Sequence, residues 1–245
     1  MEPISQIAPP LPGRVVLTQF WADLTFIHWR VDASIVAPLL PRGIVPDLFD
    51  GSTWVGLIPF RMLDTALAGA PPVLYFGSFT EVNVRLYGVD AAGNRGVVFT
   101  SLEASRLAAV LVARVRFGLP YHWADAHARR NGDVLSYDSS RRQPARVSSR
   151  IVSRASDVRV MDDPLAQFLT SRWRLFVQRG ERTFVQANIH APWPLFQAEL
   201  IELDDGLVEA SGFEGLVDRT PDSVLYSPGV AVAFSGPRLV AKDSP

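Results

Sequence analysis

Two stretches of the chain carry side chains able to do chemistry. The first, ARVRFGLPYHW from Ala113 to Trp123, places Arg114 seven residues after Leu107, on the apolar stripe of a helix that Ser105 caps and that Gly118 and Pro120 end. The chain then turns into the pair Tyr121-His122. A guanidinium on the core side of a helix needs an anion, either a carboxylate of the protein or a ligand. The second stretch, FTEVNVRLY, alternates so that Phe79, Glu81, Asn83, Arg85 and Tyr87 share one face. That face is too polar for a plain hydrophobic core and too aromatic for open solvent. It suits the wall of a ligand cavity or, alternatively, an internal Glu-Arg ion pair lining a water-filled barrel.

The histidines add two more candidates for contact with a ligand. His190 belongs to the mixed face Phe184, Gln186, Asn188, His190, and His28 shares a face with Leu24 and Phe26, where a structural core role is the alternative. His122 and His127 are five apart on one strand and face opposite sides, so spacing predicts no metal site. The absence of cysteine excludes disulfides, thiolate nucleophiles and cysteine-bound metals. No Walker A, GxGxxG, GxSxG or HExxH pattern is present, and no cofactor is expected. All the basic residues are arginine except Lys242, near the end of the chain, so a mechanism that needs a buried amine has nowhere to put it.

The elements that must position these groups are mostly strands. Strands are predicted over Leu24–Val31, Thr53–Met62, Phe79–Tyr87, Val97–Glu103, Arg146–Arg154, Leu195–Leu203 and Gly229–Phe234. Pro59 confines the second of these to an edge or a bulge. Hairpins are predicted where Tyr121–Arg129 meets Val134–Arg141 across Asn131-Gly132, and where Trp173–Gln178 meets Thr183–His190 across Gly180. Helices are short: Ala33–Leu40, distorted by Pro38, Pro164–Arg172 behind the cap Asp163, and a turn near Leu207. About ten closely spaced strands with few helices predict a mainly β (α+β) fold, an antiparallel sheet closed as a barrel or folded as a sandwich. It forms a single domain over 14–245, behind an extended proline-rich leader at 1–13.

Composition bounds the partners. A chain of 245 residues with net charge −1 has no global attraction to nucleic acid or to anionic membranes. With no apolar run long enough to span a bilayer and no signal-like start, a cytoplasmic protein is the expectation. Between Arg129 and Arg159 eight arginines stand against three aspartates. Such a stripe suits a phosphate, a coenzyme A tail or an acidic carrier protein, or else is a solvated edge kept from aggregating by its charge.

The pieces TFIHWRVD followed by LLP, FTEVNVRLY, SLEAS, and AR followed by LPY together resemble the acetoacetate decarboxylase-like superfamily, most closely its YqjF-like branch. The resemblance implies a closed, cone-shaped antiparallel barrel with an internal cavity, and assembly into a homo-oligomer. It also implies a site, in which the family's arginine, proline and two lysines fall on Arg114, Pro120, Tyr121 and His122. Tyr121 thus stands where the Schiff-base lysine would be, and His122 where the lysine that lowers its pKa would be. Glu81 keeps the family's carboxylate. A second glutamate falls at Ile58, and the substrate-binding arginine falls near Ala22.

With the amine gone, imine chemistry goes with it. A carboxylate, a guanidinium, a phenol and an imidazole remain: Glu81 or His122 as base, Tyr121 with Arg114 on an enolate oxygen, and His28, Asn83, Arg85 and His190 as substrate contacts. Strand alternation lets only one of Tyr121 and His122 face the cavity, and the resemblance favours Tyr121. Three readings stay open: a lysine-independent lyase, isomerase or cyclase acting on a small carbonyl or polyketide-like compound, a small-molecule binding protein without turnover, and a structural barrel with a protein-binding surface.

Overall fold

The computed structural model describes residues 1–67, 69–71, 77–107, 118–142 and 145–240. Most of the helix expected between Ser105 and Gly118, Arg114 included, lies outside them, as does Lys242. Among the described residues one sheet contains β1 (Val15–Val31), β2 (Ile44–Pro46), β3 (Thr53–Leu67), β4 (Phe79–Asp90), β5 (Arg95–Ala104), β6 (Tyr121–Asn131) and β7 (Val134–Arg141). It continues with β8 (Ser148–Arg159), β9 (Arg174–Arg179), β10 (Arg182–His190), β11 (Phe196–Asp205), β12 (Ser223–Ser235) and β13 (Arg238–Leu239). All pairings are antiparallel except β5 with β6 and β5 with β9.

The sheet closes twice. One ring runs β5-β6-β7-β8-β11-β12-β1-β3-β4 and returns to β5, and the other leaves β5 through β9 and β10 and rejoins at β12. The strands β1, β3, β4, β5 and β12 are common to both. A wall shared by two interiors is shielded from solvent on both faces, which is why β4 is buried along all twelve of its residues. On one face Ile27, Trp29, Leu57, Val84 and Leu86 join Tyr137 and Ile151 in an apolar core. On the other, Leu24, Phe26, Ile58, Phe60 and Phe79 form a separate cluster with Leu102 and Tyr121.

Pro59 lies inside the wall, not at an edge. It pairs with Val82 of β4, while on the β1 side the register shifts between Ala22 and Ile27, where five steps of β1 oppose four of β3. The bulge spares β3 a backbone donor that proline lacks, and it turns at Asp23, whose φ is +50°. Both expected hairpins form, with Gly132 and Gly180 at positive φ. The short helix Pro164–Thr170 starts on Asp163, whose carboxylate accepts from the backbone of Leu165 and Ala166, and its buried residues Phe168 and Leu169 close one end of the second ring. The N-terminal residues pack on that ring: Ser5 accepts from the Trp173 indole, and Glu2 pairs with Arg174. No helix among the described residues is long and apolar enough to cross a membrane.

Candidate active site

Inside the second ring lies a cavity of about 400 Å³. Volumes of roughly 300–1,000 Å³ are usual for pockets that enclose a small organic ligand. Its lining is predominantly apolar, from Leu17 and Leu67 at one end to Phe26 and Arg85 at the other. The polar groups that interrupt this surface include Glu81, Asn83 and Arg85 of β4 and Gln186, Asn188 and His190 of β10, the two faces predicted to be mixed, together with Arg172 from outside them.

Glu81 and Asn83 point inward from β4. Leu102 of β5 is paired on one side with Asn83 and on the other with Tyr121 of β6, so Tyr121 stands two strands away in the same row. From there its phenol reaches back along the row and donates to Oε2 of Glu81 at 2.7 Å. Among the described residues the other carboxylate oxygen is held only by the Asn83 amide, at 3.3 Å. Burial pushes the Glu81 carboxyl up to about 7, against the opposing pull of the Tyr121 and Asn83 hydrogen bonds. Burial and the adjacent carboxylate hold the Tyr121 phenol well above its ordinary range, so it stays a donor. Ile58, where the second glutamate of the resemblance would fall, is apolar wall beside Asn83.

Arg85 lies four residues beyond Glu81 on the same face. Its Nε donates to the Tyr87 hydroxyl at 3.0 Å, and its Nη2 to the carbonyl of Leu169 at 2.9 Å, in the last turn of the short helix. Arg172, just past that helix, donates through Nε to Phe168 O and through Nη1 to Asp47, and its Nη2 has no partner. Asp47 is fully buried and holds Arg95 with its other oxygen. Both Arg85 and Arg172 line the cavity.

His190 also reaches the cavity, packed between Trp173 and Trp193 at centroid distances of 4.5 and 4.8 Å. Its Nδ1 faces the carbonyl of Ala191 at 2.7 Å and must be the protonated nitrogen, because a carbonyl only accepts. Burial lowers its pKa to about 4, so at neutral pH the ring is uncharged and Nε2 is an acceptor.

Two expected contacts are placed elsewhere. His28 does not line the cavity: it is fully buried, stacked on Phe26, with Nε2 2.7 Å from the Tyr87 hydroxyl. That hydroxyl already donates to Leu169 O, so His28 is the donor in the pair, and burial with the nearby Arg85 and Arg172 keeps the ring neutral. The ring fits because Gly56 lies between His28 and Arg85 in the register; a Cβ there would stand 2.9 Å from it. His28 therefore braces Tyr87 from behind the wall. His122, next to Tyr121 on the strand, is likewise not among the cavity-lining residues, as alternation requires.

Sequence reasoning missed Arg172 and Asp47. Arg172 sits in a helix-to-strand turn where periodicity says nothing, and Asp47 follows the three-residue strand β2. In the arginine-rich stretch, Arg130, Arg141, Arg142, Arg150 and Arg154 each pair with a carboxylate, which leaves little free charge for an acidic partner to read.

Comparison with known proteins agrees with this architecture. Residues 18–231 match the DUF2071 family, described as an uncharacterized conserved protein. The chain is 33% identical over 189 residues to the uncharacterized protein YqjF of Bacillus subtilis (strain 168), covering 76% of this chain and 78% of that one. Among solved structures it is similar to acetoacetate decarboxylase from Legionella pneumophila, with a TM-score of 0.67, 14% identity, and 96% and 94% of the two chains covered. An acetoacetate decarboxylase-like enzyme from Sphingomonas wittichii RW1 gives a TM-score of 0.65 at 12% identity, with 94% of each chain covered. The enduracididine biosynthesis enzyme MppR complexed with pyruvate gives 0.62 at 16%, with 95% and 93% covered. At these identities the likeness is one of fold, and the fold is of the acetoacetate decarboxylase type.

Proposed function

The chain belongs to the DUF2071 family, and from the site it builds on an acetoacetate decarboxylase-type fold we propose that it is a lysine-independent acid/base catalyst acting on a small carbonyl compound. The observation that carries this reading is the Tyr121–Glu81 hydrogen bond of 2.7 Å inside a mainly apolar cavity. A carboxyl with a pKa near 7 is ionised in about half of the molecules at neutral pH and is a far stronger base than an exposed glutamate. Oε1, weakly held by Asn83, takes the proton from the carbon α to the carbonyl. The C–H electron pair becomes a carbon–carbon double bond as the carbonyl π pair moves onto oxygen, giving an enolate. As Glu81 becomes neutral it needs its hydrogen bond less, and the Tyr121 hydroxyl, which stays protonated, turns to the enolate oxygen. Return of the proton to another carbon gives an isomerase, loss of a β-substituent a lyase, and attack on a second carbonyl of the same molecule a cyclase. The arginine of the resemblance, Arg114, lies outside the described residues, and no step is assigned to it.

The reading is supported by what replaces the amine. No lysine precedes residue 242, and the phenol that the resemblance sets in the lysine's place is hydrogen-bonded to the Glu81 carboxylate. Nuclear magnetic resonance of a panel of ketones, keto acids and acyl thioesters in deuterium oxide tests it directly. At least one compound should exchange its α-protons faster with the protein than with Glu81→Gln. If no compound exchanges above the rate in buffer, the cavity is a binding site without turnover, and the catalytic reading falls.

A further inference from the structure

The chemistry proposed above uses Glu81 and Tyr121 and leaves the far end of the cavity unexplained. There Arg85 is nine-tenths buried and has no carboxylate within ion-pair distance among the described residues. Its Nε and Nη2 are held by the Tyr87 hydroxyl and by Leu169 O, which fixes the plane of the guanidinium, while Nη1 has no partner among the described residues. Beside it Arg172 stands over the same Tyr87 ring, 4.8 Å from its centroid, with Nη2 unpartnered. Asp47 is shared between Arg172 and the part-buried Arg95, so among the described residues these three guanidiniums have one carboxylate between them. The neighbouring His28 and His190 are neutral and supply no negative charge. Buried cations left in surplus call for an anion.

The rest of the cavity describes what that anion is attached to. Between Arg85 and the Leu67 end the walls are mainly apolar, with Phe26, Ile58, Phe60, Met62 and Phe99 offering contact area and polar side chains such as Thr65 and Asn188 in the minority. Along β4 alone, Phe79 to Arg85 spans roughly 20 Å at about 3.4 Å per residue. Glu81 and Tyr121 lie between the two ends. Nη1 of Arg85 can meet an oxygen of a carboxylate, and Arg172, whose Nη2 is closed off from the cavity, adds its positive charge from behind; a phosphate would bring further oxygens to be met in a mainly apolar chamber.

We propose that Arg85, backed by the charge of Arg172, forms an anion subsite and that the cavity takes an amphiphilic monocarboxylate, its carboxylate on the Arg85 guanidinium and its apolar body extending past Glu81 and Tyr121 toward Leu67. This rests on reading the cavity as a ligand site, and it gives that site a substrate class: elongated or aromatic carboxylic acids carrying a carbonyl within reach of Glu81. Aspects of recognition and of chemistry are thereby separated, since the anion is held away from the base.

Calorimetric titration of the full chain with straight-chain carboxylates from butanoate to dodecanoate, and with the alcohols and alkyl phosphates of the same lengths, tests the subsite without any turnover. The carboxylate of best length should bind at least about thirtyfold more tightly than its alcohol. Arg85→Gln should remove on the order of tenfold or more of that preference while changing alcohol affinity by less than about threefold. Arg85 is the position to change because loss of Arg172 would strand Asp47; if Arg85→Gln does not fold, Arg85→Lys, which keeps the charge and loses the fork, should still lower the preference. The titration reads binding alone, so a failure of catalysis and a failure of this subsite give different results. Equal binding of acid and alcohol, tighter binding of the alkyl phosphate, an intact preference in Arg85→Gln, or no binding by any carboxylate would each overturn the proposal.

Discussion

Tyr121 and Glu81, forty residues apart in sequence, are joined by a 2.7 Å hydrogen bond in which the phenol donates to Oε2, on a wall where neither meets solvent. The proton state of Glu81 therefore affects both how stable the fold is and what the cavity can do.

Stability and activity should move in opposite directions with pH. Glu81 holds its proton more tightly in the folded chain, with a pKa of about 7, than a free glutamate does at 4.5. Its contribution to stability is complete below about pH 4.5 and is lost as pH rises through about 7, a change on the order of 3 kcal/mol. Chemical denaturation at about pH 5 and about pH 8.5 should show this loss, and Glu81→Gln should flatten it. α-Proton exchange, which needs the ionised carboxylate, should rise across the same interval.

Tyr121→Phe removes the donor with little change of volume. Because that hydrogen bond lowers the Glu81 pKa, the pH profile of exchange should shift upward in the variant. Its maximal rate should fall by on the order of ten- to a thousandfold, with stability changed by about 1 kcal/mol. A profile that keeps its midpoint would show that the phenol does not tune the base.

Asp47→Ala leaves Arg95 and Arg172 without their carboxylate in a fully buried place. A loss of about 3–5 kcal/mol is expected in denaturant titration. A loss below about 1 kcal/mol would show that water reaches these arginines.

Gly56→Ala places a Cβ 2.9 Å from the His28 ring. Overpacking there should cost about 1–3 kcal/mol. Adding His28→Ala should recover part of that cost, because the two changes share one space; strictly additive losses would mean that the clash is relieved elsewhere.

Borohydride added with acetoacetate or pyruvate should leave no reduced adduct inside the barrel. Arginine stays protonated and forms no imine under these conditions, and the single lysine is Lys242. Mass spectrometry that finds an adduct at Lys242 together with retained turnover would contradict lysine independence.

Much of the barrel could be read from alternation. The faces of β1 and β4, the Asn131-Gly132 hairpin and the break at Pro38 follow from local chemistry, and they appear where expected. Strand lengths were less legible: β3 continues to Leu67, β8 to Arg159, and β12 begins at Ser223, because pairing partners extend strands beyond their apolar runs. The double closure leaves no local trace, since it depends on which strands β5 and β12 meet. Glu81, Asn83 and Arg85 were identified because a polar residue recurring on an aromatic face has few explanations. Arg172 was not, since a single arginine in a turn looks like any solvated charge until the fold buries it.

The wall common to both rings has a consequence for how this protein can change. Along β4 the odd-numbered positions from Phe79 to Arg85 meet the cavity, while Val82, Val84 and Leu86 belong to the other interior. Substitutions at the first set can rewrite ligand preference while the second set keeps the scaffold standing, so the two properties are free to drift independently. Insertion or deletion of a single residue in this strand would exchange the sets and ruin both at once. Family members can therefore be expected to vary in side chain here, yet to keep the length of this strand fixed.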